Sequence, residues 1–356
     1  LWSKNKIILV LPEQKYMHRC LQLAKNGLGT TYPNPLVGSV VVHNQQIIGE
    51  GWHYQAGEPH AEVQAIRRVK QEHVLSESTL YVNLEPCSHH GKTPPCADLI
   101  IEKKIPRVVV GCLDPNEKVA GRGIQKLQQA GIEVVVGVLE KESIELNRRF
   151  FTFHQKKRPY ILLKWAVSQD GYIAPANQPP GTIVWLTQPS SRQLVHLWRS
   201  QEQAILAGTN TVRLDNPQLN VRLVSGPNPT RIILDKNRSI PPHYKVYDDQ
   251  IKTLVITSQK PVDNPYLNTR YETLDFDKPW VDQLCELLYQ YQIQSLIVEG
   301  GSYTLQQFIN ENLWDEARVF SAPINFGKGV KQPIFEGHLE REITLQLDRL
   351  KIYRNL

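Results

Sequence analysis

Short β-branched runs at residues 37–42, 80–84, 108–110 and 134–136 alternate with helical patterns over 16–25, 61–70, 97–103 and 125–130. This alternation admits few architectures, because each strand and each helix's apolar stripe must be buried against one another, which gives layered α/β packing. Pro59 and the Pro94-Pro95 pair stand just ahead of the second and third helical patterns. Proline suits these positions because the first turn of a helix has no use for its missing N–H.

A polar, basic stretch, His154-Gln155-Lys156-Lys157-Arg158-Pro159, interrupts the pattern, and a new strand is predicted over 160–165. We read this stretch as a linker dividing the chain into domains at 1–154 and 155–356. Beyond it the spacing predicts a helix over 190–200, strands over 204–206, 231–234, 253–256 and 295–298, and a helix after Gly301. Gly and Pro clusters at 176–181 and 225–229 mark loops. The 356 residues exceed what one hydrophobic core ordinarily serves, so two α/β domains in tandem is the economical organisation.

With 41% hydrophobic and 21% charged residues the chain reads as globular rather than disordered or fibrous. Five cysteines, an odd number in a long chain, argue against a disulfide framework and for metal ligation or buried thiols. No apolar run approaches the roughly 18 to 20 residues of a membrane span, and residues 7–11 are too short a run for a signal peptide. The expected compartment is reducing and aqueous: the cytoplasm, or a plastid stroma if a transit segment preceded Leu1. A net charge of +6 suits small phosphorylated ligands as readily as nucleic acid.

His60-Ala61-Glu62, then Pro86-Cys87, then Cys96 form the strongest chemical signal. Zinc prefers nitrogen and sulfur donors, and three protein ligands, His60, Cys87 and Cys96, leave a fourth tetrahedral position for water, as a catalytic site requires. Two thiolates and a neutral imidazole cancel the ion's charge, and water acidified by it becomes a nucleophile near neutral pH. Glu62 is the complementary carboxylate, not a ligand, that moves protons between that water and a leaving amine. Residues two apart in a helix face different ways, so His60 and Glu62 converge only where His60 sits at the helix start, and Pro59 puts it there. Cys96 likewise opens the third helical pattern, where the positive end of the dipole favours a thiolate. His-x-Glu followed by Pro-Cys-x-x-Cys is the signature of zinc nucleobase deaminases. This chain matches the first half and has eight residues, 88–95, between the two cysteines. Cys20, Cys112 and Cys285 have no such partners and are read as packing residues.

The run from Glu85-Pro86-Cys87 through His89, Lys92 and Pro94-Pro95-Cys96, with Pro33-Asn34-Pro35, Gly57 to Glu62 and Asp114-Pro115-Asn116, resembles the bifunctional deaminase/reductase family of riboflavin biosynthesis. The resemblance spans nearly the whole chain, and the eight-residue insert between the cysteines is that family's own spacing. It implies a cytidine-deaminase-like α/β/α domain followed by a dihydrofolate-reductase-like α/β domain. It further implies zinc-dependent deamination of 2,5-diamino-6-ribosylamino-4(3H)-pyrimidinone 5′-phosphate with Glu62 relaying protons. NADPH reduction of 5-amino-6-(5-phosphoribosylamino)uracil to the ribitylamino product follows. Position by position, Asn34, His53, His89 and Lys92 resemble the family's pyrimidine and ribose-phosphate contacts, and Asp114 and Asn116 its loop near the substrate. Lys92 suits a phosphate as a cation.

In the second half no Gly-x-Gly-x-x-Gly follows a strand, so a Rossmann fingerprint is absent, and Gly121-Arg122-Gly123 reads only as a turn. Instead Glu299-Gly300-Gly301 joins a predicted strand to a helix, where glycines let backbone N–H groups approach a phosphate. The resemblance places Trp185, Thr187, Thr211 and Asp215 with Gly300 and Gly301 on the cofactor side, and Lys164, Arg199, Leu219, Arg222 and Glu299 against the substrate. It also draws Asp170 and Gly171 from the first reductase turn.

The chain departs from the family at Ile183 and Ile324, where a small polar residue and a lysine are usual, and at Arg213-Leu214-Asp215-Asn216-Pro217. An isoleucine cannot supply the hydrogen bond of the residue it replaces. The leading expectation is a bifunctional enzyme; the alternative within the same fold is a deaminase whose reductase domain is weak or only structural. A nucleic-acid-editing zinc deaminase shares the chemistry but calls for a basic groove interleaved with aromatics, whereas the charges here are scattered. The expected partners are small phosphorylated pyrimidines, not nucleic acid or membrane, and a homo-oligomer is compatible with the sequence.

Overall fold

The structure is a computed structural model that describes residues 12–88, 94–116, 119–259 and 266–355. It divides into two compact units between Lys156 and Lys157. In the first, helices α1 (Pro12–Ala24), α2 (Ala61–Arg67), α3 (Cys96–Glu102), α4 (Arg122–Gln129), α5 (Glu140–Leu146) and α6 (Arg148–Lys156) surround strands β1 (Gly38–His43), β2 (Gln46–Trp52), β3 (Thr79–Leu84), β4 (Arg107–Cys112) and β5 (Glu133–Val136). The strands lie in the order β2-β1-β3-β4-β5. The β3, β4 and β5 pairings are parallel, while β1 runs antiparallel to both β2 and β3.

The apolar runs in β1, β3 and β4 are continuous because both faces of the sheet are covered. Val41, Leu80, Val82, Val108 and Val110 pack with Ala65, Ile100, Ile124 and Leu127 from α2 to α4. The alternate residues Val40, Val42, Tyr81 and Val109 pack with Tyr16, Met17, Cys20 and Leu23 of α1. Helix α1 presses closely on β1, since a Cβ at Gly38 would lie 2.1 Å from the Cys20 carbonyl oxygen.

The second unit holds β6 (Tyr160–Ser168), β7 (Tyr172–Pro175), α7 (Pro189–Gln201), β8 (Ala204–Gly208), α8 (Thr209–Asp215), β9 (Thr230–Leu234), β10 (Thr253–Thr257) and β11 (Thr269–Thr273). It continues with α9 (Trp280–Gln290), β12 (Ser295–Glu299), α10 (Ser302–Asn310), β13 (Glu316–Ala322), β14 (Gly329–Lys331), β15 (His338–Leu345) and β16 (Asp348–Arg354). Nine strands form one sheet in the order β11-β10-β9-β8-β12-β6-β13-β16-β15, and β7 pairs with β14 in a separate ribbon. The pairings from β11 through to β13 are parallel; β16 and β15 close the sheet antiparallel. Helices α9 and α10 bury Trp280, Leu284, Leu305 and Phe308 on one face, and α7 buries Val195 and Trp198 on the other.

The linker expectation needs one correction. Residues 154–156 continue α6, whose Phe150, Phe151 and Phe153 are buried, so apolar burial carries the helix through the polar segment that the sequence marks as a break. Among the described residues no helix is long and apolar enough to cross a membrane.

Candidate active sites

His60 is the N-cap of α2, with extended backbone angles, two residues before Glu62 in the first helical turn. Cys87 lies in the loop beyond β3, and Cys96 is the first residue of α3. Two main-chain N–H groups at the start of α3 reach Cys87: the Cys96 N–H donates to Cys87 Sγ (3.3 Å) and the Ala97 N–H to the Cys87 carbonyl (3.1 Å). The His60 Nδ1 atom is 3.3 Å from Cys96 Sγ and 3.6 Å from Cys87 Sγ. All three donor atoms lie within 4.8 Å of one another. A tetrahedral zinc with Zn–N near 2.0 Å and Zn–S near 2.3 Å separates nitrogen from sulfur by about 3.5 Å, so these residues fit the ion.

The Glu62 side chain is buried, and burial pushes its carboxyl up to about 6; the Cys87 sulfur adds to the shift and His60 opposes it. The Cys96 thiol and, after it, His60 hold the Cys87 thiol well below the ordinary thiol range against the opposing effect of burial. His53 meets Asn34 at 3.0 Å through Nε2 and the Pro59 carbonyl at 3.4 Å through Nδ1, with its ring 5.3 Å from that of His60. Asn34 donating to Nε2 and Nδ1 donating to the carbonyl describe a neutral imidazole, whose pKa burial lowers. Asp114, just past β4, is buried and pushed up to about 6 by that burial; its Oδ1 accepts the Asn116 N–H at 2.8 Å. His89 and Lys92 lie outside the described residues.

In the second unit a cavity of about 950 Å³ opens at the carboxyl ends of parallel strands β8, β9 and β12, the usual ligand position in such sheets. Lys164, Trp185, Thr187, Arg199, Thr211, Asp215, Leu219, Arg222, Glu299, Gly300 and Gly301 all line it. The β12–β6 register sets Glu299 opposite Lys164. Arg199 approaches the Glu299 carboxylate with Nε at 2.7 Å and an Nη at 2.9 Å, and Lys164 Nζ lies at 3.2 Å. Burial opposes ionisation of Glu299, yet Arg199 and Lys164 hold its carboxyl far below the ordinary carboxylate range.

The Gly301 N–H does not stand open toward a ligand, because it donates to Thr211 Oγ1 at 2.9 Å. Asp215 accepts from the Gln178 amide at 2.8 Å, and the half-exposed Trp185 ring carries the Arg192 guanidinium at 4.4 Å. Leu219 is buried with a left-handed φ of 49°. Asp170 acts elsewhere, accepting main-chain N–H groups from Phe326 and Gly327.

Residues 12–112 match the zinc-binding region of cytidine and deoxycytidylate deaminases, and residues 159–355 match the RibD C-terminal domain. The riboflavin biosynthesis protein RibD of Aquifex aeolicus is 43% identical over 321 residues, covering 89% of each chain. That of Escherichia coli is 37% identical and covers 90% of each. The crystal structure of a diaminohydroxyphosphoribosylaminopyrimidine deaminase/5-amino-6-(5-phosphoribosylamino)uracil reductase from Thermotoga maritima is 37% identical, with a TM-score of 0.89 over 97% of this chain and 99% of that one.

The chain belongs to the RibD family. It is a bifunctional riboflavin biosynthesis enzyme, in which a zinc-dependent deaminase precedes an NADPH-dependent reductase. The RibD reductase cavity also holds a residue that the sequence did not single out. His196 of α7 lines the wall, is 3% exposed, and accepts the Arg222 N–H on Nδ1 at 3.2 Å. Its pKa falls from 6.5 to about 4, first through burial and then through the Arg199 and Arg222 cations. Between those values the unfolded chain binds the proton more readily, so the unit loses stability as pH falls from 6.5 toward 4. His196→Gln, which retains hydrogen-bonding capacity but cannot charge, should flatten that slope in thermal unfolding followed against pH. An unchanged slope would assign it to other groups.

Proposed function

We propose that the first unit hydrolytically removes the 2-amino group of 2,5-diamino-6-ribosylamino-4(3H)-pyrimidinone 5′-phosphate, and that the second reduces the ribosyl group of the deaminated product to ribityl. The observation that carries this reading is the convergence of His60 Nδ1, Cys87 Sγ and Cys96 Sγ beside the buried Glu62. Bound by those three atoms, zinc would supply the Lewis acid that makes water nucleophilic near neutral pH. In the exchange a C–O bond forms as the C–N bond breaks. Glu62 takes the proton released by the attacking water and returns it to the departing nitrogen, which leaves as ammonia. Asn34 and His53 orient the pyrimidine, the neutral His53 ring avoiding a second cation beside the metal. His89, Lys92, Asp114 and Asn116 complete the pyrimidine and ribose-phosphate contacts.

Bound in the second unit, NADPH would supply the hydride. Thr187, Thr211, Asp215 and Gly300 would hold the cofactor, Gly301 contributing its lack of a side chain rather than its N–H, with Trp185 at the cavity mouth. Lys164, Arg199, Leu219, Arg222 and Glu299 hold the substrate. Arg199 is committed to Glu299, whereas the Arg222 guanidinium donates to the neutral Asn220 side chain, which leaves its charge to the substrate phosphate. Small phosphorylated pyrimidines, rather than a nucleic-acid strand, are the partners of both sites.

Stripping the metal with a chelator should abolish ammonia release and leave NADPH oxidation with the deaminated substrate at its original rate. Ammonia release that survives complete zinc removal would refute the metal-dependent reading.

A further inference from the structure

The Gly121-Arg122-Gly123 turn and Glu85 have no part in the reading above, yet they belong to one arrangement. Glu85 follows β3 directly, two residues before Cys87, and is 4% exposed. Its Oε2 accepts the N–H groups of Asp114 (3.2 Å) and Gly121 (2.9 Å). Its Oε1 accepts those of Gly123 (2.9 Å) and Ile124 (3.4 Å). One carboxylate therefore gathers four main-chain donors from the two ends of a single segment, matching the four lone-pair sites it offers. Bonds to an ionised acceptor are about twice as strong as neutral ones, and a buried carboxylate needs every one of them.

The segment is also pressed against the metal-site turn. A Cβ at Gly123 would fall 2.0 Å from the Pro86 carbonyl oxygen, and Gly121 holds a φ of 76°. Glycine at both positions lets the start of α4 lie directly on the Pro86-Cys87 peptide. At the other end of the segment stand Asp114 and Asn116, joined through the Asn116 N–H. The carboxylate thus ties this pair to the same turn that presents Cys87.

We propose that Glu85 is a positioning residue for the deamination: it locks the Asp114–Asn116 loop onto the Pro86-Cys87 turn, so that the substrate loop and a zinc ligand are held as one body. The inference rests on the reading that Asp114 and Asn116 meet the substrate. It assigns Glu85 no contact with substrate or metal.

The full-length Glu85→Gln and Glu85→Asp variants test it, with zinc content, deaminase kcat and KM, and reductase activity measured on each. Glutamine keeps the size but offers one acceptor oxygen in place of two, and aspartate keeps the charge at shorter reach. The expected result is full zinc content, unchanged reductase activity, and deaminase kcat/KM lowered by about 10- to 100-fold through a raised KM more than a lowered kcat. The aspartate variant should be the less affected. Wild-type deaminase KM and kcat in a zinc-replete variant would overturn the proposal. So would loss of zinc from both variants, because Glu85 would then secure the metal site rather than the loop. Asp114→Ala and Asn116→Ala, measured alongside, separate the two levels. Unchanged KM in both would overturn the substrate-loop reading itself, whereas a raised KM there with wild-type kinetics in the Glu85 variants would overturn this inference alone.

Discussion

Glu62→Gln should lower ammonia release by about 10²- to 10⁴-fold, the range that a positioned acid–base group supplies, while zinc content and reductase activity stay at wild-type levels. Glutamine matches glutamate in shape but cannot carry a proton from the attacking water to the departing nitrogen. The substitution does not threaten the fold, because burial already disfavours the charged form of Glu62 and pushes its carboxyl up to about 6. A neutral amide removes that penalty above the ordinary carboxyl pKa, so thermal stability at neutral pH should hold or rise. Catalysis and stability therefore move in different directions, which distinguishes loss of a proton carrier from general damage. A zinc-loaded variant retaining a tenth or more of wild-type activity would exclude Glu62 from proton transfer.

The second large effect concerns Glu299. Its carboxylate, 11% exposed, is shared between Arg199 and Lys164, whose side chains are 13% and 17% exposed. Glu299→Ala leaves two nearly buried cations facing each other without a counter-charge, and breaking a buried ion pair in this way costs about 3–5 kcal/mol. The reductase should be lost, the unfolding temperature of the second unit should fall, and deamination should persist. The depressed Glu299 pKa also sets a sign. In the wild type the triad's stabilisation is fully present above the ordinary glutamate pKa of 4.5 and is lost only as pH falls through the lower folded value. The variant should lack that acid-dependent component. Retained NADPH oxidation in Glu299→Ala would show that the triad is dispensable to reduction.

How much of this was legible in the sequence depended on where each residue's partners lie. Strands β1, β3 and β4 were legible because helices cover both faces of the sheet, which demands unbroken apolar runs. Strand β2 was not, because Gly49 and Gly51 stand where Cβ atoms would strike Ala65 and Gln64 of α2, and glycine carries no strand signal. Strand β15 lies at the sheet edge and is almost wholly exposed, so it lacks an apolar run. The group of His60, Cys87 and Cys96 stood out because metal ligation draws on few residue types at restricted spacing. His196 left no comparable trace, and Glu85 was legible only as a motif residue without a role. Their described partners are main-chain N–H groups, which every non-proline residue carries, so only the folded backbone reveals which ones converge.

The central claim is that one chain performs the two steps in succession. Its most direct test supplies the zinc-loaded protein with the diamino substrate and NADPH, and follows ammonia and nicotinamide absorbance in the same sample. The account predicts ammonia release first, NADPH oxidation after a lag, and equal final amounts of ammonia and oxidised cofactor. Glu62→Gln should block both signals with the diamino substrate and only the first when the deaminated intermediate is added. Ammonia release with no NADPH oxidation, even from added intermediate, would contradict the account and leave the second unit without a catalytic role.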